Sequence, residues 1–293
     1  MNQKWIQALI IIAVAGFLIW QKYTEQKKGG SKAPPKAPVA AATTNDALTG
    51  PDPAKAAGMG QFTLPKLEYP KRGNNTVRTF GAAKKKLPNI FKGAEKTFYC
   101  GCTYTGKKVD HASCGYTVRK DPERAARIEW EHVVPASAFG RTFKAWTEGH
   151  ERCYKRRKKF KGRKCVGEVS GLFQRMEADL YNLRPAIGEV NGNRSNYVMA
   201  EIPGEKREYG RCDVEIDNKQ VEPKASIRGD IARTYLYMDW AYPNRGILDA
   251  STRRMMLSWH KKDPPTRAER AWAAKVRAVQ GNTNPFVEGA SAR

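Results

Sequence analysis

Arg127-Ile-Glu-Trp-Glu-His-Val-Val-Pro135 and Glu177-Ala-Asp-Leu-Tyr-Asn-Leu-Arg-Pro-Ala-Ile-Gly-Glu-Val-Asn-Gly-Asn-Arg-Ser-Asn-Tyr197 bound the stretch on which the fold turns. The first piece alternates and is rich in β-formers, so Ile128 to Val134 reads as a strand that Pro135 interrupts. It sets a carboxylate, Glu131, beside an imidazole, His132, at the strand end. The second piece carries amide and carboxylate oxygens around a helical pattern. Such oxygens are hard ligands suited to Mg²⁺ or Ca²⁺ rather than to a soft metal. An imidazole beside such an ion, but not bound to it, has the chemistry of a general base.

Outward from this stretch, the chain divides by composition. Residues 5 to 20 form one apolar run bounded by Trp5 and Trp20. That layout is a signal sequence or a membrane anchor over residues 1–28. Lys22, Lys27 and Lys28 follow the run, which on charge alone would keep the rest of the chain in the cytoplasm. The cysteines argue for export and decide the expectation: periplasmic or extracellular, with the inner membrane as the place of any anchor. Residues 29–90 open as a Pro-, Ala- and Lys-rich linker and continue as a transitional segment whose structure the sequence leaves open. Residues 91–293 carry the core material and read as one α+β domain.

Six cysteines, Cys100, Cys102, Cys114, Cys153, Cys165 and Cys212, all fall inside that domain. An even number behind an apolar leader reads as disulfides, with the connectivity open. Cys-Gly-Cys with a distant third cysteine is a poor match to zinc-ligand spacing.

The net charge is +24, which a folded core does not require and which points to a polyanionic partner. The charge is clustered. Nine of the thirteen residues from 152 to 164 are basic, including Arg156, Arg157, Lys158, Lys159, Lys161, Arg163 and Lys164, with Tyr154 and Phe160 among them. Cys153 and Cys165 bracket the run and could clip it into a loop for phosphate contacts and base stacking.

Among the remaining elements, Thr97 to Tyr104 and Tyr116 to Arg119 read as strands, and Pro122 to Arg127 as a helical turn. Ala136 to Phe139 starts a helix, and Leu172 to Leu183 has helical periodicity. Val214 to Ile216 reads as a strand. Helices are expected over Arg228 to Tyr242, Met255 to Trp259 and Ala268 to Val279.

Residues 97 to 287 resemble the bacterial endonuclease I family of exported, non-specific nucleases. The resemblance rests on Phe98-Tyr-Cys-Gly-Cys102, Ser113-Cys-Gly-Tyr116, Glu129-Trp-Glu-His-Val-Val-Pro-Ala136, Asn182-Leu-x-Pro185, Gly188-Glu-Val-Asn-Gly192, Arg228-Gly-x-Ile-Ala-Arg-Thr-Tyr235 and Gln280-Gly-Asn-x-Asn-Pro285. It implies a ββα-metal core, two strands and a helix holding one divalent ion. Glu131 and Asn191 then become the metal ligands and His132 the base that activates water. Glu177 becomes a further active-site carboxylate, and Arg163 is the best match to the family's phosphate-stabilising arginine. The implied activity is Mg²⁺-dependent (or Ca²⁺- or Mn²⁺-dependent), sequence-independent cleavage of DNA, and of RNA as well, to 5′-phosphate products. The implied protein is a monomer with no protein partner. The competing reading is a membrane-tethered nucleic-acid-binding module without catalysis.

The chain departs from the family twice. A cysteine pair near the C-terminus is missing, so weaker stapling of that end is expected. The basic run is longer and more charged than usual, so salt-sensitive binding is expected.

Overall fold

In the computed structural model, residues 72–204 and 206–289 are described. The apolar run at 5–20 and the linker up to residue 71 lie outside them. Among the described residues, no helix is long and apolar enough to cross a membrane.

The chain enters through α1 (Phe80–Phe91), capped by the Thr79 hydroxyl, which accepts from Ala82 N at 3.1 Å. Ala83, Leu87, Ile90 and Phe91 recur at helical spacing and are buried. This helix occupies a segment that the sequence left open, because Lys84-Lys85-Lys86 masks its apolar face. A short hairpin follows, β1 (Tyr104–Thr105) and β2 (Lys108–Val109). Then come α2 (Pro122–Ala125), β3 (Ile128–His132), α3 (Ala136–Gly140) and α4 (Lys144–Thr147).

A second hairpin, β4 (Tyr154–Lys155) and β5 (Lys158–Lys159), leads to α5 (Arg163–Val169) and α6 (Gly171–Glu177). A 3₁₀ turn over Leu180–Asn182 delivers the chain to β6 (Leu183–Ile187) and directly to α7 (Gly188–Arg194). A three-stranded sheet follows, with β9 (Gln220–Pro223) between β7 (Val198–Met199) and β8 (Val214–Asp217). Helices α8 (Arg228–Ala241), α9 (Ala250–Lys262), α10 (Arg267–Gln280) and α11 (Pro285–Glu288) complete the chain. The mixture of helices and small sheets is the α+β class expected.

The centre is the antiparallel pair β3–β6, in register from Ile128 opposite Ile187 to His132 opposite Leu183. Pro185 sits inside β6, opposite Trp130. It is tolerated because β6 has only one strand neighbour, so no donor is missed on its outer edge. Its carbonyl accepts from Phe98 N at 2.7 Å. Beyond His132 the pairing is continued by a side chain: Asn182 accepts from Val134 N (2.7 Å) and donates to Val134 O (2.9 Å).

Several expected elements differ. Thr97 to Thr103 turns rather than forming a strand, and only Tyr104, which opens β1, is in one: Gly101 N bonds Thr97 O, and Gly101 takes φ 76°. Its alternation of aromatics and cysteines comes from two crosslinks, Cys100–Cys212 and Cys102–Cys114, and not from a pleat. Tyr116 makes only an isolated bridge to Gly210. The helical pattern from Leu172 to Leu183 breaks after Glu177. Asp179 accepts from Tyr181 N at 3.0 Å, and Pro185 favours an extended Arg184.

The third disulfide, Cys153–Cys165, does clip the basic run into a loop. All six cysteines are paired, which leaves none for zinc. The C-terminal end, which lacks a disulfide, is held by a buried polar network. The fully buried Asp179 carboxylate accepts from Tyr237 (2.8 Å), Tyr242 (2.6 Å) and Gln280 (2.8 Å), and Asn282 donates to Tyr237 at 2.7 Å.

Candidate active site

The period of two along β3 puts Glu129 and Glu131 on one face. Helix α7, leaving β6 without a loop, lays Asn191 and Arg194, one turn apart, against the same region. The result is a cleft of about 550 Å³ whose lining includes Phe80, Glu129, Glu131, His132, Arg163 and Asn191.

Glu131 is 3% exposed. Its Oε1 accepts from the Tyr99 hydroxyl at 2.9 Å and lies 3.2 Å from Arg194 Nη1. Burial raises its pKa, and Arg194 and Tyr99 pull it back. Arg194 also donates to the carbonyls of His132 (3.0 Å) and Val133 (2.6 Å), so it ties α7 to the strand end.

Asn191 Nδ2 donates to Glu129 Oε2 at 2.7 Å. A carboxylate can only accept, so this contact sets the amide's orientation and leaves Oδ1 as the acceptor. Burial opposes ionisation of Glu129, but Arg124 and Asn191 outweigh it and hold its carboxyl below the usual range. Arg124 reaches both of its oxygens, at 3.0 and 2.5 Å.

His132 Nε2 lies 2.8 Å from Glu177 O. A carbonyl only accepts, so Nε2 carries the proton and Nδ1 is the basic nitrogen. The Phe80 ring packs on the imidazole, with centroids 4.7 Å apart. Burial, and then Arg163, push the His132 pKa down to about 3, against the Glu177 carbonyl. The fold therefore holds it well below the unperturbed value near 6.5. The imidazole is neutral across the neutral pH range. Glu177 Oε1 accepts from Arg163 Nε at 2.5 Å.

The structure thus brings Glu131, His132, Asn191 and Arg163 to one cleft. Glu177 does not line the cleft; its carbonyl accepts from His132 and its carboxylate from Arg163. Arg156, Arg157, Lys158, Lys159, Lys161 and Lys164 are exposed and do not line the cleft. Sequence reasoning missed the parts played by Glu129, Arg194, Tyr99 and Phe80. Glu129 shares the strand face of Glu131, and Arg194 the helix face of Asn191, and these spacings could have revealed both. Nothing in the sequence links Phe80 or Tyr99 to the site.

Comparison with known proteins gives the family. The family model for endonuclease I matches residues 79–291. A periplasmic deoxyribonuclease of Aeromonas hydrophila is 44% identical over 72% of this chain and 86% of its own length. An extracellular deoxyribonuclease of the same organism is 42% identical over 76% of this chain and 93% of its own. Endonuclease-1 of Buchnera aphidicola is 39% identical over 77% and 86% respectively. The chain belongs to the endonuclease I family and is a nuclease.

Proposed function

We propose that the protein hydrolyses phosphodiester bonds of DNA, and of RNA as well, without sequence preference, from a ββα-metal site formed by β3, β6 and α7. The observation that carries this reading is the tautomer of His132. Its Nε2–H is committed to the Glu177 carbonyl, which leaves Nδ1 to accept a proton in the cleft beside Glu131 and Asn191. Water attacking phosphorus gives that proton to Nδ1 as the new P–O bond forms and the bond to the 3′ oxygen breaks, and the departing 3′ oxygen takes a proton from solvent water in the open cleft. The products carry a 5′ phosphate and a 3′ hydroxyl. Proton transfer of this kind contributes roughly 10²- to 10⁴-fold. Arg163, held by Glu177, faces the cleft and can neutralise a phosphate oxygen.

A buried carboxylate and an oriented amide oxygen suit a hard divalent ion that keeps most of its shell in water and phosphate. Glu131 and Asn191 would hold it, with Mg²⁺ as our first choice and Ca²⁺ or Mn²⁺ as alternatives. Such an ion supplies Lewis-acid neutralisation of charge at the leaving oxygen. Phosphate-directed chemistry needs no base-edge contact, which supports sequence independence.

We take the catalytic domain expected at 91–293 as extended forward to include α1. The three disulfides, and the periplasmic or extracellular names of the relatives, support a site of action outside the cytoplasm. We keep the monomer, and the signal or anchor over residues 1–28, as parts of the same proposal. The test is supercoiled plasmid with the full chain, in Mg²⁺ or chelator, alongside His132→Ala. We expect metal-dependent nicking that the variant loses. Binding without cleavage under every metal condition would instead favour a binding module.

A further inference from the structure

Arg156 and Arg157 are the two-residue tip of the hairpin β4–β5, and both sit at positive φ, 48° and 63°. Two successive left-handed residues make a type I′ turn, for which Asn-Gly is the favoured pair. Long side chains there cost roughly 1–2 kcal/mol per residue. Below the tip, Lys155 faces Lys158 directly across the strands, and like charges so placed repel. Of the nine basic side chains between 152 and 164, only Arg163 is in an ion pair among the described residues. Tyr154 is 56% exposed. Turn chemistry, cross-strand pairing and charge all oppose this hairpin, and the Cys153–Cys165 disulfide holds it closed. Local rules broken together at one exposed tip point to function rather than stability.

Position narrows that function. The hairpin's base abuts the cleft wall: Gly162 N donates to Trp146 O at 2.9 Å, and Trp146 and Arg163 both line the cleft. Three residues of strand from Cys153 to Arg156 reach about 10 Å, at roughly 3.3 Å per residue. That is about three base steps along a duplex.

We propose that the Arg156–Arg157 tip is a separate phosphate subsite, gripping the backbone of a DNA duplex beyond the cleft that holds the scissile phosphate. Affinity then depends on substrate length. Guanidinium groups bind phosphate oxygens bidentately. An anionic membrane would also attract the charge, but it would not explain a hairpin built into the cleft wall. The proposal rests on the nuclease reading of the cleft.

The test is Arg156→Asn/Arg157→Gly in the full chain with Mg²⁺. The variant replaces a strained turn with the favoured one, so its thermal midpoint should hold or rise. KM for a 30-base-pair duplex should rise about tenfold at 0.15 M salt, with the loss in KM rather than kcat. Thymidine 5′-(p-nitrophenyl phosphate), too short to reach the tip, should lose less than twofold. The slope of log K against log salt should flatten by about 1.8, for two phosphates released. That slope is measured in a His132→Ala background, so it needs no cleavage. Unchanged slope and KM would overturn the subsite, and so would equal losses on both substrates. Lost binding to phosphatidylglycerol vesicles with an unchanged DNA slope would overturn it in favour of a membrane contact. A flattened slope in a chain that cleaves nothing would support the subsite while removing the catalytic reading.

Discussion

An asparagine amide offers an oxygen at one end and a donor at the other, and only its surroundings decide which faces the cleft. Here Glu129 decides, by accepting from Asn191 Nδ2 while Arg124 holds the carboxylate in place. Glu129→Gln keeps the shape but adds a donor, so the Asn191 amide can turn over. Outer partners of this kind typically change metal affinity by roughly 10- to 100-fold. We expect the Mg²⁺ concentration for half-maximal cleavage to rise by about that factor, with the thermal midpoint little changed. A metal titration identical to wild type would remove Glu129 from this role. At this scale the sequence was informative where chemistry is local. Glu131 and His132 are adjacent, and Asn191 stands in a recognisable motif. Phe80 and Tyr99 reach the site through tertiary contacts, and no spacing rule carries those across the chain.

The elements around the site are locked by charge as well as by apolar packing. Arg233 on α8 is fully buried and pairs with Glu269 on α10 at 2.6 Å, and it also donates to the Asp263 carbonyl. Glu269→Gln leaves that guanidinium buried without its closest counter-charge. Removing one partner of a buried pair costs about 3–5 kcal/mol. A fall in the urea midpoint is expected, with cleavage retained by the folded fraction. A change below about 1 kcal/mol would show that Asp230, 3.5 Å from Arg233, already suffices. Helices α8 and α10 were legible from sequence because their apolar residues recur at helical spacing over several turns, whereas of α9 only the stretch Met255 to Trp259 was read and the helix runs over Ala250–Lys262. The Leu172–Leu183 pattern misled for a physical reason. From Ala178 to Leu183 every residue is buried although the chain passes from a 3₁₀ turn into a strand, so burial periodicity alone does not separate them. The turn over Thr97 to Thr103 misled because crosslinked cysteines imitate strand alternation.

At the scale of the molecule, a chain of net charge +24 repels itself, and covalent closure limits what that repulsion can open. The three disulfides do not contribute equally. Cys102–Cys114 and Cys153–Cys165 each close a span of 12 residues, whereas Cys100–Cys212 closes 112. This last bridge encloses β3, β6 and α7, and with them every proposed ligand and base. Loop entropy assigns about 3 kcal/mol to a loop of ~15 residues and about 4.7 to one of ~100. Replacing both cysteines of a pair avoids a free thiol. We therefore expect Cys100→Ser/Cys212→Ser to lower the urea midpoint more than Cys153→Ser/Cys165→Ser. The two variants should also fail differently. Losing the long bridge should depress cleavage of every substrate as the folded fraction falls. Losing the short one frees the basic hairpin, and its effect should grow with duplex length. Equal midpoints would mean that the unfolded chain is already compact around the long bridge, and that packing around Asp179 closes the domain without it.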